Sequence, residues 1–177
     1  MKKTKIIITL ILFITSFITH FIYSWFPNII TSIFFPVNES VFEHMKIIYT
    51  SILISSIIEY FIYKYYYIRY NNFIINIPII SILGIIFYLI IYSLIDLIIP
   101  HNLVISIILL FITFILCEIL SYKILNYKEI KYQKIIGIAL IILSYLIFTY
   151  LTYNPIHIDL FKDMQTNKYG IWCLIML

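Results

Sequence analysis

Long apolar stretches alternate with short polar or proline-containing segments along the whole chain of 177 residues. About 20 consecutive apolar residues suffice for a helix that crosses the hydrocarbon core of a bilayer. Five stretches reach or approach that length, at about residues 6–25, 45–63, 73–97, 102–122 and 135–153. They predict an all-α integral membrane bundle of about five transmembrane helices. We expect a single domain over residues 1–177, with a tail from 154 to 177 after the last span.

The prolines fall where these spans should begin or end. Proline removes a backbone donor and clashes with the preceding turn, so it concentrates at helix ends. All five sit at or near a predicted end: Pro27, Pro36, Pro78, Pro100 and Pro155. Their placement favours the same five helices independently of hydropathy.

Composition excludes the soluble classes of protein. Hydrophobic residues make up 63% of the chain and charged residues 11%, where soluble domains have about 25% charged residues. Such a chain cannot cover a core in water, and disordered chains are poor in apolar residues. The net charge of +4 is small and scattered, so nothing suggests a nucleic acid partner. Membrane lipids are the expected partners, and the sequence identifies no protein partner.

The basic residues predict the orientation, because cytoplasmic loops carry an excess of Lys and Arg. With five spans, one face receives nine of the 12 basic residues: Lys2, Lys3, Lys5, Lys64, Arg69, Lys123, Lys128, Lys131 and Lys134. The other face receives Lys46, Lys162 and Lys168. We therefore expect a multi-pass protein of the cell membrane, with the N-terminus cytoplasmic and the C-terminus outside.

Both ends of the chain carry apolar segments that need an interpretation. No small-x-small cleavage site follows the first span, so we expect an uncleaved first helix rather than a signal peptide. The apolar residues 170–177 are too few to cross a bilayer. We expect them to lie at the interface or dock on the bundle.

The predicted topology places all four histidines on the outer face: His20, His44, His101 and His157. The densest polar stretch lies there too, from Pro36 to Lys46. Asn38 is the expected N-cap of the second span, with Glu39 at the positive end of its dipole. Glu39 and Glu43 share a helical stripe, whereas His44 lies about 100° further round. Glu43 and His44 should therefore diverge unless the helix unwinds.

Two interpretations of this stretch remain open. In the structural one, the acidic residues cap the helix, Lys46 pairs with Glu39 or Glu43, and His44 reaches the interface. In the functional one, a polar site holds a divalent metal, with the candidate ligands His20, Glu39, Glu43, His44 and His101. The candidate catalytic residues are Glu43 and His44, as base, ligand or proton carrier.

Two further acidic residues lie toward the inner ends of the spans. Glu59 is expected to pair with Lys64 or Lys123, and Glu118 with Lys123. Cys117 lies mid-helix, where a packing role is expected, and two cysteines make no disulfide framework.

The run Val37-Asn38-Glu39-Ser40-Val41-Phe42-Glu43-His44 resembles the signature of a family of small bacterial multi-pass membrane proteins, known only as a domain of unknown function. The resemblance extends over nearly the whole chain. Its other matches are His20-Phe21-Ile22-Tyr23, Glu59, Pro155, Leu160-Phe161, Asp163 and Tyr169-Gly170. Phe42 departs from the pattern, which has Trp there. The resemblance implies the membrane class and the candidate residues, and it implies no activity.

Three kinds of function compete. The first is a multi-pass membrane protein of unknown biochemical role, with a candidate polar site at the outer leaflet. The second is a small membrane enzyme, a metal-assisted hydrolase or transferase acting on lipid or a lipid-linked substrate. The third is a transporter or partner subunit, although five spans without a visible inverted repeat argue against transport.

Overall fold

The computed structural model describes residues 1–99 and 102–171, and this part of the chain is helical throughout apart from turns and one isolated bridge between Lys162 and Tyr169. The helices are α1 (Lys2–Trp25), α2 (Ile29–Phe34), α3 (Val41–Tyr65), α4 (Phe73–Asp96), α5 (Leu103–Asn126) and α6 (Gln133–Tyr153), followed by a 3-10 turn (Asp159–Phe161). Five of the described helices, all but α2, are long and apolar enough to cross a membrane. The predicted all-α bundle of five spanning helices is confirmed.

α3 is the most buried of the five described spanning helices. It packs on α1 and α4, while α5 packs on α1 and α4, and α6 on α4. The core forms where α1, α3, α4 and α5 meet, around Leu12, Ile48, Ile80 and Phe114. Large apolar side chains on the outer faces remain exposed, as expected for helices that lipid solvates.

The second spanning helix begins earlier than its apolar stretch indicated. Ser40, not Asn38, is its N-cap, because the Ser40 hydroxyl accepts a hydrogen bond from the Glu43 amide at 3.2 Å. The prediction of Asn38 as N-cap was therefore wrong. Its side chain instead accepts from the Ser40 amide and donates to the Gly170 carbonyl. Asn38 thus closes the turn before α3 and holds the tail against it.

A short helix that the hydrophobic pattern did not indicate, α2, follows Pro27. Asn28 caps it, with a reciprocal hydrogen bond between Asn28 and Thr31. Six residues are too few to show a periodic pattern, so local capping chemistry was the available signal.

Pro78 lies inside α4 rather than at its end. Its ring nitrogen cannot donate to the Ile74 carbonyl one turn earlier. α6 packs tightly against α4 at this place, where a Cβ on Gly137 would lie 2.7–2.8 Å from main-chain atoms of Ile74 and Ile75. The missing hydrogen bond therefore coincides with a helix crossing that glycine makes possible.

The tail after α6 folds back onto the end of the bundle where α3 begins. Phe161 stacks on Phe42 with ring centroids 4.4 Å apart, and Asn38 bonds to Gly170. The expectation for residues 170–177 falls mostly outside the described residues, which end at Ile171. We call the end of the bundle that holds residues 26–44 and the tail the site end, and the other the opposite end.

The two inner acidic residues do not pair as predicted. Both contact Lys5, with Nζ 2.5 Å from Glu59 Oε1 and 2.9 Å from Glu118 Oε2. The pairings with Lys64 and Lys123 were wrong because Lys5 on α1 packs between α3 and α5, whereas Lys64 and Lys123 remain exposed.

Candidate metal centre

Three side chains from separate segments converge at the site end of the bundle: His20, Glu39 and His44. His20 Nε2 lies 3.6 Å from Glu39 Oε1, and His44 Nε2 lies 3.3 Å from Glu39 Oε2. One ligand atom from each of the three residues lies within 4.8 Å of the others. The two imidazoles stack at 5.3 Å with an angle of 27° between their planes. The carboxylate therefore faces both rings, one oxygen to each.

The fold explains how residues so far apart in sequence meet. His20 lies in the second half of α1, and His44 in the first turn of α3, which packs against α1. Glu39 lies in the turn between α2 and α3, so α2 carries the chain from the end of α1 to the start of α3. The side chain of Glu39 is 36% exposed, and those of His20 and His44 are 23% and 30% exposed. The site is therefore half-buried and reachable from outside.

The backbone fixes the protonation of one ring. His44 Nδ1 lies 2.8 Å from the Ser40 carbonyl oxygen. Because a carbonyl oxygen only accepts, Nδ1 carries the proton. The same arrangement orients histidines that bind metals through the other nitrogen. His44 Nε2 faces Glu39 at 3.3 Å. When Nε2 is protonated it donates a hydrogen bond to the carboxylate, and when it is not, its lone pair can bind a metal in place of that proton.

The two nitrogen–oxygen separations, each to a different oxygen of Glu39, lie in the range of neighbouring ligand atoms in a metal site. Zinc binds imidazole and carboxylate at about 2.0–2.2 Å, which places ligand atoms of a tetrahedral site about 3.3 Å apart. The observed separations are 3.3 and 3.6 Å. Two histidines and one glutamate make three protein ligands, the number that leaves a fourth position for water or substrate.

The surroundings of Glu39 favour its ionised form. A hydrogen bond from His44 holds the pKa of the Glu39 carboxyl below its ordinary value, against the opposing effect of partial burial. The carboxylate is therefore ionised at neutral pH, as a metal ligand must be.

Comparison with known proteins gives the family. A profile described as a family of unknown function, DUF6512, matches residues 1–171. The chain belongs to DUF6512. This confirms the predicted membership of a family of unknown function, and the DUF6512 description states no activity. No curated protein and no solved structure matches the chain.

Glu43, one of the predicted ligands and catalytic residues of this DUF6512 chain, lies apart from the three. Its Oε2 is 2.8 Å from Lys46 Nζ and accepts the Val37 amide at 3.1 Å, while Oε1 accepts the Thr152 hydroxyl at 2.7 Å. Both oxygens are thus engaged inside the bundle. As helical rotation indicated, Glu43 and His44 point to different neighbours.

The Glu43–Lys46 pair holds the segment that carries Glu39. Lys46 Nζ also donates to the Ser32 carbonyl at 2.8 Å, and Lys46 is fully buried. Ser32 and Val37, which flank the turn before Glu39, are therefore both tied to this ion pair. Lys46 pairs with Glu43, one of the two partners that the structural interpretation offered.

The chain has two further histidines, His101 and His157. His101, the fifth predicted ligand, lies outside the described residues. His157 lies in the tail, where its ring packs on Tyr169 with centroids 4.6 Å apart. The structure therefore brings together three of the five predicted metal ligands.

Proposed function

We propose that this DUF6512 protein is a multi-pass protein of a bacterial cell membrane that holds one divalent metal ion, zinc as the first candidate, between His20, Glu39 and His44. The proposal rests on one observation: two imidazoles face the same carboxylate, at nitrogen–oxygen separations that a shared metal ion could bridge. The Ser40 carbonyl supports it, since it leaves His44 Nε2 free to coordinate. Membrane lipids are the proposed surroundings of the five helices, and no nucleic acid partner is proposed.

The proposed site lies on the outer face, with the N-terminus in the cytoplasm. Support comes from the excess of Lys and Arg at the opposite end, in the 64–69 and 123–134 connections. Two exposed positions test it in a background without the native cysteines, Ile30→Cys and Glu129→Cys. We expect a membrane-impermeant thiol reagent to label position 30 in intact cells and position 129 only after lysis. Labelling of position 129 in intact cells would refute this orientation.

Metal content tests the site itself. The purified protein, stripped with chelator and reloaded with zinc in detergent, should hold one zinc per chain by elemental analysis. Glu39→Gln and His44→Ala should each lower the affinity at least tenfold in titration calorimetry, because each removes a ligand. His157→Ala is the matched control, because this histidine lies outside the cluster. The proposal would be refuted if the wild-type protein held no metal, or if all variants held as much zinc as the wild type.

A small membrane enzyme is the second candidate, and the open fourth position favours it. A metal with three protein ligands lowers the pKa of bound water and polarises a carbonyl or phosphoryl oxygen. The site lies where α1 presents exposed apolar rings, Phe21 and Trp25, so the proposed substrate is a lipid or a lipid-linked ester. Zinc-loaded protein should release headgroup or acyl product from mixed-lipid vesicles, and Glu39→Gln should not. If the protein binds zinc tightly but releases no headgroup or acyl product, it is a metal-binding protein and the proposed enzyme activity is excluded.

A further inference from the structure

A second group of polar side chains lies buried at the opposite end of the bundle, where four helices meet. The Lys5 cluster consists of Lys5 on α1, Glu59 on α3, Asn76 on α4, and Glu118 and Ser121 on α5. None of the five is more than 5% exposed. Besides its two ion pairs, Lys5 Nζ donates to Ser121 Oγ at 2.5 Å. One ammonium group therefore lies at the centre, in contact with groups from α3 and α5.

The charges of this cluster do not balance if every group is ionised. Two carboxylates, Glu59 and Glu118, contact the single ammonium of Lys5. Two like charges that share one small site cannot both ionise without a large rise in the pKa of one of them. An uncompensated charge in a buried site is strongly disfavoured. The cluster therefore requires one further positive charge.

Two buried titratable groups near the cluster do not supply this charge. Tyr63 lies one turn after Glu59 on α3, and Cys117 precedes Glu118 on α5, and both are buried. A phenol and a thiol are neutral or negative, so neither adds a cation. Lys2 lies near the Tyr122 ring and is exposed to solvent.

An unpaired acceptor indicates which cation fits. Asn76 Nδ2 donates to Ser121 Oγ at 2.8 Å, but Asn76 Oδ1 is buried without a hydrogen-bond partner. A protonated carboxyl supplies a new O–H donor, whereas an ionised one only accepts. A metal ion would need several oxygen ligands around it, and the ammonium of Lys5 already occupies the centre. A proton supplies the missing positive charge and one new hydrogen-bond donor.

We propose that the Lys5 cluster binds one exchangeable proton, which the carboxyl groups of Glu59 and Glu118 share at neutral pH. In this step one carboxylate oxygen forms an O–H bond to become a carboxylic acid, while a hydronium ion of the surrounding water loses that proton and becomes a water molecule. This inference goes beyond the metal centre and does not depend on it, because the two groups lie at opposite ends of the bundle.

Infrared spectroscopy of the full-length protein in lipid tests the proposal. A protonated carboxyl has a C=O stretching band that a carboxylate lacks. The wild-type protein should show this band at neutral pH and lose it as the pH rises. Glu118→Gln and Glu59→Gln should each abolish the band at neutral pH, because one carboxylate then balances Lys5. Glu129→Gln is the matched control, since Glu129 is exposed in the α5–α6 connection.

The wild-type titration can overturn the proposal even if a variant fails to fold. Absence of a carboxylic acid band at neutral pH would show that both carboxylates are ionised and would overturn the proposal. A band that persists in both glutamine variants would belong to another carboxyl and would equally overturn it. Loss of the band in both variants, with the band retained in Glu129→Gln, supports the shared proton.

Discussion

Replacing Lys46 by methionine should destabilise the bundle strongly. The lysine side chain is fully buried, with Nζ 2.8 Å from both Glu43 Oε2 and the Ser32 carbonyl oxygen. Methionine fills similar space but leaves the carboxylate of Glu43 without its counter-ion. Removing one partner of a buried ion pair costs about 3–5 kcal/mol. Glu43 keeps two hydrogen-bond donors, the Thr152 hydroxyl and the Val37 amide. We therefore expect the free energy of unfolding to fall by about 3 kcal/mol, the lower end of that range.

Thermal unfolding in detergent, followed by helical circular dichroism, measures this loss. For a chain of this length each kcal/mol lowers the melting temperature by about 2–4 °C. Lys46→Met should therefore melt about 6–12 °C below the wild type. Adding Glu43→Gln should recover most of the difference, because the amide oxygen still accepts from Thr152 or Val37 and no charge remains buried. A double variant as unstable as Lys46→Met would show that packing, not charge, causes the loss.

The same pair of variants separates two roles for Glu43. If Glu43 only holds the segment that carries Glu39, zinc affinity should fall in Lys46→Met and return in the double variant. If Glu43 is itself a ligand or a base, the double variant should stay deficient. We expect the first result, because both oxygens of Glu43 are engaged away from the three ligands. Full recovery of stability without recovery of zinc affinity would refute the positioning role.

Two further substitutions test the packing of the fold. Gly137→Ala should destabilise by about 0–2 kcal/mol, since overpacking costs about 1–3 kcal/mol and the gain in helix propensity returns about 1 kcal/mol. The result should lie toward the upper end, because the new Cβ would meet main-chain atoms. Gly84→Ala, whose new Cβ would meet the movable thiol of Cys117, should cost less in the same thermal assay, and equal losses would contradict the argument. Phe161→Ala should release the tail from the bundle, so limited trypsin digestion at the lysines of the tail should become faster while the helices persist. Phe17→Ala, at an exposed position, is the control. Unchanged digestion in Phe161→Ala would show that the stacked ring does not hold the tail.

Hydropathy was sufficient to predict the spanning helices, because every backbone group in lipid must be paired within its own helix. It could not place helix ends that depend on capping. Ser40 caps α3, which begins at Val41, four residues before the second predicted span. The helix α2 is too short to carry a periodic signal. Pro78 likewise shows that a proline one turn inside a helix is tolerated where a neighbour packs closely.

The sequence was sufficient to predict which types of residue form the candidate site, but it predicted only in part which individual residues belong to it. Topology placed His20, Glu39 and His44 at one end, and helical rotation separated Glu43 from His44. The sequence offered Glu39 and Glu43 as partners of Lys46, but it could not show that Lys46 pairs with Glu43 inside the bundle. Ser32 and Thr152, from α2 and α6, hold that pair by hydrogen bonds. The Lys5 cluster was missed for a related reason. Lys5 reads as one of three N-terminal surface lysines, and only the packing of α1 between α3 and α5 buries it.

The central claim is that His20, Glu39 and His44 bind one metal ion together. X-ray absorption at the zinc edge of the loaded, full-length protein tests it most directly. We expect nitrogen and oxygen ligands at about 2.0–2.2 Å from the zinc. Outer-shell scattering should indicate two imidazoles in the wild type and one in His44→Ala. A shell of oxygen alone, or one containing sulfur, would contradict the claim.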